Sequence, residues 1–291
     1  MIEDYFKNKM TLSSDNVHIL DKDDNYSENF GKQWRDYRDI QIDSLNDFDI
    51  SFKYLNDIFF NDLDLINNKN ILELGCGAGR FTEHLIKKCN LCFSVDMSQA
   101  IFHNVSKNSK NLFLIKSDFK KLSVKKKFDI VLCRGVLQHT PKPKEYLLKL
   151  FEFVSNEGYV IFDFYKKPKL YYFNLKYMFW RPLIKNLIKY EVFESFLKKN
   201  IKKLLFVKRL IKNIFFLDII SDNLIPIWDY KGKLDLNNKN LEKWAILDTL
   251  DGLYAKYDYP HSYRKIKKII QSNNIKLIKS NKTRNFFLCK K

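Results

Sequence analysis

The sequence predicts an α/β fold built on a doubly wound, mostly parallel sheet. Between about residues 71 and 165, short apolar runs typical of buried strands alternate with amphipathic segments typical of helices. The connections between these segments are short, which implies parallel strands with helices packed on the sheet. The chain has 291 residues, 45% of them hydrophobic, and can bury a sizeable core. Ligands of such a sheet bind where the strands end.

The first predicted strand ends in a glycine-rich turn within ILELGCGAGR, residues 71 to 80. The apolar run before the turn predicts a buried strand, and the segment from Phe81 onward predicts a helix. Glycine permits a positive φ and, because it has no Cβ atom, lets a ligand lie against the backbone. A strand, a glycine turn and a helix N-terminus with outward N–H groups together predict a nucleotide-sized site.

Two common ligands of such turns fit poorly. A dinucleotide fingerprint requires G-x-G-x-x-G, and the sixth position here is Arg80, whose side chain would crowd a pyrophosphate. A phosphate loop for ATP requires Lys followed by Ser or Thr, and neither pair follows these glycines. NAD and ATP are therefore disfavoured. A turn that binds no ligand is the remaining structural alternative.

The pattern E-x-G-x-G-x-G after a strand resembles the first motif of the class I S-adenosylmethionine-dependent methyltransferases. The resemblance covers roughly residues 30–165 and 240–289. It implies S-adenosylmethionine as the cofactor and a Rossmann-like sheet of seven strands with an antiparallel last strand. It also implies a bacterial subgroup that acts on small molecules and carries a helical insertion after the fifth strand. The cofactor-binding residues implied by this motif are Glu73, Gly75, Gly77 and Gly79.

The next two predicted strands end in acids. Asp96 follows Gly75 by 21 residues, close to the spacing at which a second strand presents a carboxylate to a ribose diol. By resemblance to the family, Asp96 would bind the ribose and Met97 would lie beside the adenine. Asp118 would bind the adenine amino group, and Phe119 would flank the ring. The alternative for this last pair is a solvated Asp-Phe turn.

The fourth predicted strand begins at Phe128 and runs into the segment from Leu137 to Pro141. This segment resembles the part of the family near which the acceptor substrate lies. His139 is placed where a general base could take a proton from an attacking hydroxyl or amine. The alternative is a structural histidine that ties the loop to backbone carbonyls. No carboxylate cluster indicates a metal, so none is expected.

Four regions are expected along the chain. Residues 1–47 form an N-terminal arm, its first 25 residues polar and predicted to be mobile, and an aromatic helix. Residues 48–165 form the S-adenosylmethionine-binding core, residues 166–260 a helical basic cap or insertion, and residues 261–291 a closing helix and strand hairpin. In the aromatic helix, Trp34 and Arg38 are candidate substrate residues, because such a helix often lies across the cofactor mouth in this fold. The alternative is that this helix packs on the core and does not contact the cofactor or the substrate.

Within the insertion, residues 182–213 place apolar residues on one face of a predicted helical pair and Lys and Arg on much of the other. One interpretation is a cap that covers the active site while its lysines face water. The other is an interfacial element that binds anionic membrane. A later L-D-T-x-D run resembles a segment of bacterial methyltransferases, so Asp248 and Asp251 are candidate substrate residues or, alternatively, structural corner residues.

Charge and cysteine content limit the function classes. The net charge is +18, but residues 1–65 carry 7 Lys/Arg against 15 Asp/Glu, whereas residues 165–213 carry 14 against 2. Signature motifs of DNA methyltransferases, such as D-P-P-Y, are absent after the fourth strand, where the residues are Cys133, Arg134 and Gly135. The five cysteines are interpreted as reduced thiols of a cytoplasmic protein. No signal-peptide pattern or apolar span is present.

The sequence therefore predicts an enzyme that transfers a methyl group to an oxygen or nitrogen of a small molecule. The acceptor classes that fit this prediction are a sugar, a lipid-linked glycan precursor and a quinone-like ring. Two alternatives stay open: an RNA methyltransferase using the basic 165–213 surface, and a non-catalytic S-adenosylmethionine-binding scaffold. The expected location is cytoplasmic, with peripheral contact at the inner membrane surface as a further alternative. The oligomeric state is not predicted.

Overall fold

The computed structural model describes residues 1–24, 26–46, 48–167, 174–215 and 218–291. The chain divides into two compact units. The first comprises Met1–Lys167 and Lys256–Lys291, and the second comprises Pro168–Ala255. Parts of the predicted basic insertion, residues 168–173 and 216–217, lie outside the described residues.

The first unit is built on one sheet with described strands in the order β1-β2-β5-β4-β3-β6-β7-β9-β8. These strands are β1 (Thr11–Leu12), β2 (Val17–Ile19), β3 (Asn70–Leu74), β4 (Leu91–Asp96), β5 (Leu112–Lys116), β6 (Phe128–Cys133), β7 (Val154–Asp163), β8 (Lys276–Asn281) and β9 (Phe286–Lys290). From β2 to β7 all neighbouring pairs are parallel. The last strand, β9, is antiparallel to β7 and β8, which confirms the predicted closing arrangement.

Several helices of the first unit pack on this sheet. The helices of this unit are α1 (Ile2–Tyr5), α2 (Glu28–Asp36), α3 (Arg38–Gln41), α4 (Ile50–Ile58), α5 (Thr82–Leu85), α6 (Pro143–Phe153) and, after the second unit, α11 (Tyr263–Ser272). Successive residues of β3 enter opposite sides of the core: Ile71 joins one buried cluster and Leu72 the other. Side chains alternate across a strand, so a sheet with two covered faces explains the continuous apolar runs seen in the sequence.

The expected number of seven strands is wrong, because the N-terminal residues add two more. β2 pairs with the edge strand β5 in parallel, and β1 pairs with β2. The N-terminal residues are also not a mobile arm. Tyr5 and Phe6 are buried, and the Tyr5 ring lies 4.5 Å from Phe93 and 5.3 Å from Phe128, measured between ring centroids. The apolar residues of this segment are few and scattered among polar ones, so no periodic pattern in the sequence predicts their burial.

The second unit is helical. Its helices are α7 (Arg181–Leu187), α8 (Tyr190–Phe215), α9 (Asp218–Leu224) and α10 (Asn238–Tyr254), preceded by a π-helical turn at Lys176–Trp180. Along α8, one side is buried through Phe193, Leu197, Ile201 and Leu205. Among the helices that the structure describes, none combines the length and apolarity that crossing a bilayer requires.

The two faces of α8 differ from the sequence expectation. Large apolar side chains also lie on its exposed side, between 42% and 66% exposed, namely Val192, Phe196, Phe206, Val207, Leu210 and Ile214. Not every lysine faces water, because Lys208 is buried and its Nζ lies 2.6 Å from the Asp222 carboxylate. This helix is 26 residues long and carries apolar side chains on both its buried and its exposed side. It is therefore not a simple amphipathic helix with one apolar face.

The packing of the N-terminal residues gives the first prediction. Replacing Phe6, which is 1% exposed, by Ala should lower the free energy of unfolding by about 3 to 5 kcal/mol, because it removes a ring from the core. Replacing Leu12, which is 59% exposed, by Ala is the control and should change it by less than about 0.5 kcal/mol. Urea denaturation measures both. Equal, small effects would show that the N-terminal residues do not belong to the core.

Candidate functional site

The glycine turn follows β3 directly and takes backbone conformations that favour glycine. Gly75, Gly77 and Gly79 have φ values of 81°, 53° and 98°. A Cβ atom on Gly77 would lie 3.0 Å from the Trp34 ring, and one on Gly75 would lie 2.1 Å from Val136. The turn is thus tightly packed by other elements as well as left-handed, and both properties require glycine at these positions.

Asp96, the last residue of β4, is hydrogen-bonded to the turn. Its Oδ2 accepts the Gly77 backbone N–H at 2.7 Å. Its Oδ1 accepts the Ser98 backbone N–H at 2.8 Å and the Ser98 hydroxyl at 2.7 Å. Burial raises the pKa of the Asp96 carboxyl. A carboxylate has about four acceptor positions, and three of those on Asp96 are occupied, so Oδ2 can still receive one hydroxyl of a ribose.

Glu73 lies beneath the turn and joins three elements. It is 2% exposed, and its Oε2 accepts the hydroxyls of Thr82 at 2.6 Å and Ser94 at 2.7 Å. These residues belong to α5 and β4, so Glu73 connects its own strand to both. Burial raises the pKa of Glu73 to about 7, although the two hydroxyls lower it.

Asp118 follows β5, and both of its carboxylate oxygens are engaged. Oδ1 accepts the Lys120 backbone N–H at 2.9 Å, and Oδ2 accepts the Tyr146 hydroxyl at 2.7 Å. Phe119 is buried, and its ring lies edge-on to Tyr146 at 5.1 Å between centroids. The Tyr26 hydroxyl is in turn hydrogen-bonded to Tyr146. A chain of hydroxyls therefore fixes the orientation of Asp118.

A buried lysine holds the segment before Tyr26 against these strand ends. Lys116 is 1% exposed, and its Nζ lies 2.8 Å from Asp24 and 3.0 Å from the Lys22 carbonyl oxygen. Asp21 from the same segment accepts the Asp118 backbone N–H at 3.0 Å. A charge that is almost fully buried needs such partners. The N-terminal segment is thereby fixed beside Asp96 and Asp118.

His139 lies in the turn after β6, among aromatic rings. Its Nδ1 is 3.0 Å from the Tyr257 carbonyl oxygen. A carbonyl can only accept, so Nδ1 carries the hydrogen and the lone pair of the neutral ring lies on Nε2. The Phe30 and Tyr165 rings lie 5.0 and 5.1 Å from the imidazole, between centroids. The two interpretations of His139 are therefore compatible, because the carbonyl bond orients the ring without using its basic nitrogen.

The turn that carries His139 is held by an ion pair whose carboxylate is buried. The Arg134 Nη1 lies 2.6 Å from the Asp163 carboxylate, and the Gly135 backbone N–H donates to the same carboxylate at 2.6 Å. Asp163 is 3% exposed and ends β7. The ends of β6 and β7 are thus fixed to each other next to the site.

The candidate substrate residues fall in both units. In the first unit, Trp34 of α2 lies against Gly77, and the Arg38 Nη1 lies 3.4 Å from the His103 carbonyl oxygen. Asp248 and Asp251 lie on α10 of the second unit, where Asp248 accepts the Tyr230 hydroxyl. Met97 follows Asp96 and is half-buried. The roles of these residues toward an acceptor or cofactor stay predictions.

The sheet thus brings the glycine turn, Asp96 and Asp118 to the carboxyl ends of three neighbouring parallel strands, β3, β4 and β5. Residues 72–162, which contain all three, match the family described as "Methyltransferase domain". These residues are a class I S-adenosylmethionine-dependent methyltransferase domain. The cofactor of this family is S-adenosylmethionine, which is the cofactor that the resemblance of the glycine motif implied.

Curated relatives match the methyltransferase domain over part of their length. A ubiquinone biosynthesis O-methyltransferase of Hydrogenovibrio crunogenus is 28% identical over 111 residues, 36% of this chain and 46% of that protein. A malonyl-[acyl-carrier protein] O-methyltransferase 2 of Ilyobacter polytropus is 30% identical over 125 residues, 41% of this chain and 46% of that protein. The chain thus spans about half the length of these relatives.

Among solved structures, the magnesium protoporphyrin IX methyltransferase of Synechocystis PCC 6803 is 15% identical with a TM-score of 0.47. The match covers 91% of this chain and 95% of that one. A S-adenosylmethionine-dependent methyltransferase from Clostridium acetobutylicum is 25% identical, with a TM-score of 0.36, over 41% of this chain and 52% of that one.

Sequence reasoning missed several residues that shape the methyltransferase domain's site. Tyr26 and Tyr146 orient Asp118, yet they lie 120 residues apart and share no motif. The pairing of Arg134 with Asp163 also joins residues that are distant in sequence. Only Lys116 gave a signal, because an ionisable residue closes the otherwise apolar run LFLIK.

Glu73 gives a prediction about pH. The folded methyltransferase domain keeps a proton on Glu73 that the unfolded chain releases, since the pKa is about 7 rather than 4.5. The contribution of Glu73 to the free energy of unfolding is therefore fully present below pH 4.5 and is lost as the pH rises through 7. Urea denaturation from pH 4 to 8 should show wild type losing up to about 3 kcal/mol more than Glu73→Gln. Parallel pH profiles would contradict the assignment.

Proposed function

We propose that the protein is an enzyme that transfers the methyl group of S-adenosylmethionine to an oxygen or nitrogen of a small molecule. The observation that carries this proposal is the convergence of the glycine turn, Asp96 and Asp118 in a domain of a methyltransferase family. Gly75, Gly77 and Gly79 would let the cofactor lie against the backbone. Asp96 would accept a ribose hydroxyl on Oδ2, and Asp118, oriented by Tyr146, would accept the adenine amino group.

Methyl transfer from a sulfonium is an in-line displacement, so the protein mainly has to align the acceptor with the methyl group. Alignment of this kind can supply about 7 to 11 kcal/mol of the barrier. Nδ1 of His139 donates to the Tyr257 carbonyl, which leaves Nε2 as the ring's basic nitrogen. Nε2 would take the proton from an acceptor hydroxyl or amine as the new bond to carbon forms. General base catalysis adds about 10²- to 10⁴-fold.

An oxygen acceptor on a quinone-like ring is the preferred candidate. The two relatives reported above are named as O-methyltransferases, and one of them as an enzyme of ubiquinone biosynthesis. Around His139, Phe30 and Tyr165 provide aromatic surface, and the Tyr26 and Tyr257 rings meet edge-on at 5.2 Å nearby. Aromatic side chains favour planar apolar ligands with a polar edge. A sugar or a lipid-linked glycan precursor is the next class to test.

Replacing His139 tests its proposed role as the general base. Wild type should form S-adenosylhomocysteine when given S-adenosylmethionine and a panel of hydroquinones, catechols and glycans. His139→Ala should lower kcat about 10²- to 10⁴-fold while leaving cofactor affinity within about twofold, because the ring acts on the acceptor. His103→Ala, which removes an exposed imidazole, is the matched control and should retain full activity.

Three outcomes would contradict parts of this proposal. An unchanged kcat in His139→Ala would remove the base assignment. Turnover only with RNA, weakening steeply as salt rises, would favour the RNA methyltransferase. Cofactor binding without turnover of any acceptor would favour a scaffold protein.

The second unit supports a further part of the proposed function, peripheral contact with anionic membrane. Exposed apolar side chains of α8, among them Phe206 and Leu210, lie among exposed lysines such as Lys199 and Lys203. A helix with this combination is attracted to anionic lipid by charge and held by apolar burial. The contact would bring the enzyme to a lipid-soluble acceptor.

Vesicle sedimentation tests this contact. The protein should bind vesicles that contain phosphatidylglycerol and not vesicles of phosphatidylcholine alone. The double variant Lys199→Ala and Lys203→Ala should lower the partition coefficient about tenfold or more, since each basic residue near the surface contributes about 1 kcal/mol. Phe206→Glu should also release the protein, whereas Phe52→Glu, at an exposed site of the first unit, should not. Equal binding by all variants would exclude α8 as the membrane element.

A further inference from the structure

We propose that Asp43, Glu83 and His84 form a binding site for a divalent transition-metal cation, with Zn²⁺ as the best fit. Asp43 belongs to the single turn of 3-10 helix at Asp43–Leu45, and Glu83 and His84 belong to α5. The three side chains are only 10%, 7% and 9% exposed. Two segments that lie 40 residues apart thus bring an imidazole and two carboxylates together in a nearly buried position.

The distances between the three ligand atoms suit one tetrahedral ion. The His84 Nε2 lies 3.1 Å from Asp43 Oδ2 and 3.4 Å from Glu83 Oε1. One ligand atom from each residue lies within 4.8 Å of the others. Ligand atoms about 2.0 to 2.1 Å from a tetrahedral zinc are about 3.3 to 3.4 Å from one another. Three protein ligands of this kind leave the fourth position to solvent.

The charges of the cluster also favour a cation. Nε2 carries at most one hydrogen, and that hydrogen can point at only one of the two carboxylate oxygens. A dication in place of the shared hydrogen would accept a lone pair from all three residues.

Backbone groups orient the two carboxylates from outside the cluster. Asp43 accepts the Ser51 N–H on Oδ1 at 3.0 Å and the Phe52 N–H on Oδ2 at 2.8 Å. Glu83 Oε1 accepts the Asp43 N–H at 3.0 Å. Such outer hydrogen bonds fix the direction of metal-binding carboxylates and raise affinity. The ligand atoms therefore need little rearrangement to bind an ion.

The ion would connect two elements near the glycine turn. Asp43 binds the first N–H groups of α4, and α5 follows Gly79 within three residues. The site would thus stabilise the helix behind the cofactor turn without belonging to the reaction. No metal was expected from the sequence, because Glu83 and His84 are adjacent and Asp43 is remote, a spacing that matches no zinc motif.

Calorimetric titration of the chelator-treated full chain with Zn²⁺ tests this site. Wild type should bind one Zn²⁺ and should show a higher midpoint of thermal unfolding with Zn²⁺ than without. Glu83→Gln and His84→Gln should each weaken binding at least about tenfold. Both amides can keep hydrogen bonds within the cluster, so these variants should still fold. His103→Gln, which removes an exposed imidazole, should bind Zn²⁺ like wild type.

A second readout separates this site from the cysteines. With Co²⁺ in place of Zn²⁺, ligation by nitrogen and oxygen gives no thiolate charge-transfer absorption, whereas ligation by cysteine does. Absence of Zn²⁺ binding by wild type would overturn the proposal and leave a hydrogen-bonded cluster. Binding that survives in both Glu83→Gln and His84→Gln, or a thiolate signal with Co²⁺, would also overturn it.

Discussion

The hydrogen bond from the Gly77 N–H to the Asp96 carboxylate is the interaction on which the site depends. It joins the turn after β3 to the end of β4, the neighbouring strand. The turn can approach Asp96 only because its glycines adopt left-handed conformations that other residues rarely take. Below it, Glu73 connects the same strands through Ser94. The backbone that would face the cofactor is therefore held from two directions.

A second layer of contacts fixes what surrounds this turn. Lys116 anchors the N-terminal segment to the strand ends, and Tyr26 from the same region reaches Tyr146 and hence Asp118. The Tyr26 ring also meets Tyr257, whose carbonyl accepts the hydrogen of His139. The predicted adenine end and the predicted acceptor end of the site are thus linked by side-chain contacts. The N-terminal residues supply this link through Tyr26.

The central sheet and the cofactor motif could be predicted from the sequence because both depend on local patterns. Apolar runs identify buried strands, and glycines at fixed spacing identify the turn, so the sequence alone predicts that Gly75 to Gly79, Asp96 and Asp118 lie at neighbouring strand ends. The parts that sequence reasoning missed depend on distant pairings. β1 and β2 are too short to carry a pattern, and Lys116 finds its partners more than 90 residues away. Burial on α8 likewise depends on neighbours that no local pattern specifies.

The central claim is that this site binds S-adenosylmethionine, and calorimetric titration of the purified protein with S-adenosylmethionine and S-adenosylhomocysteine tests it most directly. We expect both ligands to bind in the micromolar range and the Asp96→Ala variant to lose that binding, because it lacks the carboxylate that holds the turn and would receive the ribose. NAD and ATP should not compete. If neither S-adenosyl ligand bound the folded protein, or if NAD or ATP bound instead, the account of the site would be wrong.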